Sequence, residues 1–90
     1  MLVVVAYDIF MDEKGPKVLG GVFKVCKRYL FKMQHSVFIG ELNNGDFDAL
    51  KGELKNIVRS VDKCDILIIK NIKNLEHFNL NNNYDKFNII

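Results

Sequence analysis

Near the start of the chain, Leu2-Val3-Val4-Val5-Ala6-Tyr7 is an unbroken apolar run of strand length, closed by Asp8. β-Branched residues are stiff at χ1 and suit a pleated surface, and a run without polar alternation reads as a strand with both faces covered. Such a strand belongs at the centre of a sheet. A second run, Ile66-Leu67-Ile68-Ile69, repeats the pattern and predicts another buried strand. With only 90 residues, both must share one sheet and one core. This excludes two nested domains and a large enclosed pocket. A chain this short buries only about two-thirds of its unfolded surface, so self-association into a homodimer is the expectation.

Two helices lie between these strands. Gly15-Pro16 opens the first, because proline at the first helical position gives up only an N–H that has no intrahelical partner. Val18, Val22, Val25, Cys26 and Tyr29 then recur at helical spacing. Asn43 caps the second, with Asp46 three residues on and a stripe of Phe47, Leu50, Leu54, Ile57, Val58 and Val61. Between the helices, residues 31–42 read as extended. Phe31, Met33, His35, Val37 and Ile39 alternate with more polar positions, except that Phe38 falls on the polar side. This stretch is either one long strand or two short ones. Splitting it gives βαββαβ, an α+β ferredoxin-like fold with an antiparallel sheet and two helices on one face. Residues 1–70 form that domain. Residues 71–90 form an Asn-rich extension in which Tyr84, Phe87, Ile89 and Ile90 allow a further strand, laid on a partner protomer.

Composition narrows the function classes. Thirteen Lys and Arg against eleven Asp and Glu give a net charge of +2, too small to point to nucleic acid alone. Two separated cysteines and two histidines offer no four-ligand zinc site, and Cys26 and Cys64 read as small buried residues in a reducing compartment. The apolar start is too short for a membrane span and lacks a basic leader, so a cytoplasmic protein with no membrane partner is expected.

The residues able to carry chemistry are few. Asp8 ends the first strand at the rim of the sheet. It either orders the following loop or ligates a hard cation such as Mg²⁺, which takes one or two carboxylates and keeps several waters. One Asp per chain is a thin site, and a two-fold dimer doubles it. Asp12 and Glu13 follow in the loop, as solvated charges or as groups beside such a cation. From Lys14 to Met33 there are six basic residues and no acidic one. Lys14, Lys17, Lys24 and Arg28 are therefore candidate phosphate contacts, against the alternative of a solvated face. His35 is a candidate base and Ser36 a weak candidate nucleophile. Phe38 either stacks on a base or packs at an interface. There is no Walker A loop and no GxGxxG.

Taken together, Val3-Val4-Val5-Ala6-Tyr7-Asp8-Ile9, the basic helix ending Cys26-Lys27-Arg28-Tyr29, and Gln34-His35-Ser36-Val37-Phe38-Ile39-Gly40-Glu41-Leu42 resemble the CRISPR-associated protein two family. The resemblance spans residues 1 to about 70. It implies the ferredoxin-like fold and a two-fold homodimer whose C-terminal strands pack on the partner. It implies that Asp8 is the metal-binding aspartate, with Mg²⁺ as the cofactor. Tyr7, Arg28, Ser36 and Phe38 match positions tied to activity or to the cleft. The function implied is CRISPR adaptation: the dimer binds duplex DNA or RNA, is a scaffold for the CRISPR-associated integrase, and acts as a metal-dependent nuclease on RNA or DNA. The chain departs from the family pattern where early arginines are common, since Lys17 stands among Gly15, Pro16, Val18 and Leu19, and where Ile39 replaces a frequent acid. The alternative weighed against this is a ribonuclease toxin of a toxin–antitoxin pair on the same fold.

Overall fold

The computed structural model describes residues 1–59 and 64–76. The elements run β1 (Leu2–Ile9), α1 (Gly15–Tyr29), β2 (Phe31–Gln34), β3 (Val37–Glu41), α2 (Asn44–Val58) and β4 (Cys64–Lys70). The strands form one antiparallel sheet in the order β2-β3-β1-β4. This is the ferredoxin-like α+β arrangement, with β1 central as its composition requires. The expected turn at Asp62-Lys63 and the strand at Tyr84–Ile90 lie outside the described residues.

The extended stretch splits in two, at His35 and Ser36. The register of the β2–β3 pair shifts between Lys32 and Gln34, where β2 carries one more residue than β3. A bulge of this kind inverts the side-chain alternation beyond it. Even so, Phe31 pairs with Ile39 and Lys32 with Phe38, so period-two counting grouped Phe38 correctly with Lys32 and Gly40, and the side it read as polar is the one the helices cover. In β3, Phe38 and Gly40 lie opposite Val5 and Val3 and share their face.

Both helices cover that one face. Val3, Val5 and Tyr7 from β1 and Phe38 from β3 pack against Val18, Val22, Val25 and Cys26 of α1 and Phe47, Leu50 and Leu54 of α2. Gly40 is small because a Cβ there would stand 2.9 Å from the Leu30 side chain. The cap of α2 is as expected, with the Asn43 side chain accepting from the Asp46 N–H at 2.7 Å. The start of α1 is fixed by Asp12 instead, whose carboxylate accepts from the N–H groups of Lys14 (3.0 Å) and Gly15 (3.1 Å). Asp12 thus orders the β1–α1 loop just before the N-cap residue Lys14, whose own side chain makes no capping bond.

No described element covers the other face of the sheet. Val4, Ala6, Val37 and Ile39 are half-buried there, and Phe31, Leu67 and Ile69 are 69%, 56% and 44% exposed. The expectation that β1 and β4 are buried on both sides therefore holds for the helix side alone within one protomer. β4 is an edge strand among the described residues.

Candidate metal and nucleic-acid site

The fold divides the candidate residues by sheet face. Val3, Val5 and Tyr7 point to the helices, so the alternation of β1 turns Val4, Ala6 and Asp8 to the uncovered face. Asp8 is exposed at the end of the strand. Its direct partner on β4 is Asp65, also exposed. Residues opposite each other on antiparallel strands share a face with Cβ atoms about 4.5–5.5 Å apart. Two carboxylates therefore stand side by side on the open face of one protomer, where the sequence had offered only one. Nothing in the sequence alone marked Asp65. Finding it requires the β1–β4 register, which a one-residue slip would invert.

The Asp8 end of the sheet also gathers the β1–α1 loop and the β2–β3 turn. Ser36 sits in that turn, and its carbonyl accepts from the Tyr7 N–H at 3.0 Å. His35 is beside it and exposed. Lys14 and Lys17 lie at the same end, at the start of α1. Lys24 and Arg28 do not. At 1.5 Å rise per residue they stand about 10 and 16 Å further along the helix than Lys17. They are on the helix side of the sheet, whereas Asp8 is on the other. Arg28 is also engaged: its Nη1 donates to the Glu53 carboxylate at 2.5 Å. The Tyr29 hydroxyl donates to the other oxygen of that carboxylate, and these two donors hold the Glu53 pKa below its ordinary value.

Two expected site residues belong to the core. Phe38 is fully buried, edge-on to Phe23 at 5.7 Å and stacked on Tyr7 at 6.2 Å. Its ring lies on the helix side, because Phe38 stands opposite core-facing Val5 in the β1–β3 pair. Tyr7 is 8% exposed on the same side, and burial, aided by nearby Cys26, raises its pKa. Its side chain therefore faces the helices, away from the Asp8 carboxylate, and keeps its proton.

Asp8 and Asp65 offer hard oxygen donors open to water, the donor type Mg²⁺ prefers. Two carboxylates are within the number that ion takes while keeping several waters, so the residues fit it. No cluster of three or more His, Cys, Asp or Glu residues able to hold a metal occurs among the described residues. A softer ion, or one needing a full protein cage, is not suited to this pair.

Residues 1–76 match the family model described as CRISPR associated protein Cas2. The chain belongs to the Cas2 family. It is 46% identical over 74 residues to a CRISPR-associated endoribonuclease Cas2 of Fusobacterium nucleatum subsp. nucleatum, spanning 82% of this chain and 68% of that protein. It is 30% identical over 76 residues to the CRISPR-associated endoribonuclease Cas2 2 of Archaeoglobus fulgidus, spanning 84% of this chain and 75% of that one. Among solved structures, a crystal structure of Cas2 superposes with a TM-score of 0.70 at 31% identity, covering 94% of this chain and 93% of that chain. Streptococcus pyogenes Cas2 at pH 6.5 gives 0.66 at 29% identity, covering 84% of this chain and all of the other. The ferredoxin-like expectation and the family resemblance are both borne out. No helix among the described residues is long and apolar enough to cross a membrane.

Proposed function

We propose that this CRISPR-associated chain works as a homodimer that binds nucleic acid and hydrolyses RNA phosphodiester bonds with Mg²⁺ held at Asp8 and Asp65. The observation that carries the reading is the placement of those two carboxylates, directly opposite each other on the uncovered face. The ion would supply charge neutralisation at a phosphate and a more acidic bound water. Asp8 and Asp65 orient it, and the sheet between them sets their spacing. Lys14 and Lys17 at the same end hold backbone phosphates. His35 and Ser36 in the adjacent turn lie where a scissile strand would pass. The names of the relatives, endoribonucleases, support RNA as the substrate class.

The homodimer rests on the apolar face. Phe31, Leu67 and Ile69 stand exposed around half-buried Val4, Ala6, Val37 and Ile39, and adjoining exposed apolar side chains mark an interaction surface. Packing two such faces would bring two copies of the Asp8–Asp65 pair toward one two-fold axis.

A second reading, a scaffold binding duplex DNA for the CRISPR-associated integrase in the cytoplasm, is favoured by one observation. Lys24, Lys27 and Arg28 of α1 lie away from Asp8, where they serve binding and not cleavage. The deciding experiment incubates purified dimer with labelled single-stranded RNA, with Mg²⁺ or with chelator. The expected result is Mg²⁺-dependent cleavage that Asp8→Asn abolishes while the dimer persists in sedimentation. Cleavage by a clean Asp8→Asn preparation at the wild-type rate would end the assignment. Salt-sensitive duplex binding with no cleavage under either condition would leave the scaffold reading alone.

A further inference from the structure

The outward face of α1 carries a groove on the opposite side of the sheet from Asp8. It has a volume of about 520 Å³ and is lined by Gly20, Phe23, Lys24, Lys27 and Arg28. That volume lies within the range of roughly 300–1,000 Å³ typical of small-ligand sites. Its floor is bare helix backbone at Gly20, where a Cβ would meet nothing within 4 Å. Glycine in a helix is unfavourable relative to alanine, and packing among the described residues does not require it there. Phe23 forms one wall. Its ring is half-buried and held edge-on by Phe38.

Two ammonium groups converge on that ring. The Lys27 Nζ is 5.8 Å from the centroid and the Lys32 Nζ 5.2 Å, the first from α1 and the second from β2. Lys24 adds a third cation at the rim. Among the described residues, the one side-chain ion pair on this face is Arg28 with Glu53, which leaves the lysines without a carboxylate partner. Like charges gathered at one aromatic ring repel one another, and an anion placed between them removes that cost.

We infer that Phe23, Lys24, Lys27 and Lys32 form a subsite for single-stranded nucleic acid, with an unpaired base against Phe23 and the flanking phosphates on the lysines. The inference rests on the proposed nucleic-acid-binding function and assigns a strand form to a second surface. Aromatic rings set among cations bind single strands because every base has a π-face, and bases already stacked inside a duplex have no face free to lay on Phe23. An acidic polypeptide would satisfy the lysines but has no general use for Phe23.

The test is fluorescence anisotropy of the full chain with labelled oligo-U and with a labelled hairpin duplex, across a salt series. Phe23→Leu, which keeps an apolar contact on Phe38, is expected to weaken oligo-U binding at least fivefold and duplex binding less than twofold. The double variant Lys27→Gln, Lys32→Gln is expected to lower the salt slope for oligo-U by about 1.4, since two phosphates are no longer neutralised. Gly20→Ala is expected to raise thermal stability yet weaken oligo-U binding, a split that a merely structural glycine would not produce. Equal losses on both ligands with Phe23→Leu, or none, would overturn the subsite while leaving the binding function intact. Competition by poly-glutamate that Phe23→Leu also relieves would assign the groove to an acidic polypeptide and overturn it too. If wild type binds neither ligand, the proposed function fails with it.

Discussion

Replacing Asp65 with Asn tests the Asp8–Asp65 pair without removing the aspartate that the family resemblance already marks. At a cross-strand separation near 5 Å, two exposed carboxylates repel by about 0.8 kcal/mol in water before screening. Salt and rotation of the side chains away from each other reduce this to roughly 0.5 kcal/mol. Asp65→Asn is isosteric and keeps the strand, so in chelator it is expected to melt about 2–4 °C above wild type at equal protein concentration. Magnesium reverses the order. An ion bound with a Kd of about 1 mM stabilises the wild type by roughly 1.4 kcal/mol at 10 mM. The variant, with one carboxylate gone, is expected to lose most of that increment. Differential scanning fluorimetry with chelator and over a Mg²⁺ titration reads both effects. A variant that melts at or below wild type in chelator would show that the carboxylates do not oppose each other. An unchanged Mg²⁺ increment would show that Asp65 does not hold the ion.

Four further outcomes rest on individual side chains. Gly15→Ala is expected to cost about 1–3 kcal/mol in denaturant unfolding, because its Cβ would stand 2.6 Å from the Phe10 carbonyl oxygen. Leu50→Ala, at a fully buried position facing the sheet, is expected to cost about 2–5 kcal/mol in the same assay. Burial pushes the Cys26 thiol up to about 11 from 9.0, which lowers its thiolate fraction near neutral pH about a hundredfold. Iodoacetamide labelling followed by mass spectrometry should therefore modify half-buried Cys64 before Cys26 in the folded protein. The Glu53 pKa is depressed by Tyr29 and Arg28, so its contribution to stability is present above the unfolded-state value of about 4.3 and is lost as pH falls through the lower folded-state value. Glu53→Gln should flatten the acid limb of a pH–stability curve below about pH 4.3 and leave the neutral region's slope unchanged.

The legible and illegible parts of this chain separate along a physical line. Periodicity, caps and apolar runs are local, and they located both helices, the central strand and the capping role of Asn43. Asp8 was visible because it interrupts an apolar run at the rim of a strand. Asp65 was not, because a carboxylate just inside a strand acquires meaning only from the residue opposite it. That partner is set by register between segments 57 positions apart in sequence. Phe38 shows the same limit in reverse. Counting by twos grouped it correctly with Lys32 and Gly40, but which of the two faces the helices cover is decided by packing between distant elements. The basic run from Lys14 to Lys32 was counted correctly, yet a helix spreads its residues around an axis and along about 20 Å. Lys17 and Arg28 therefore serve different ends of the molecule. In each case what was missed is a pairing in space, and the two proposals of greatest consequence, the paired carboxylates and the groove at Phe23, both depend on side chains from separate elements meeting.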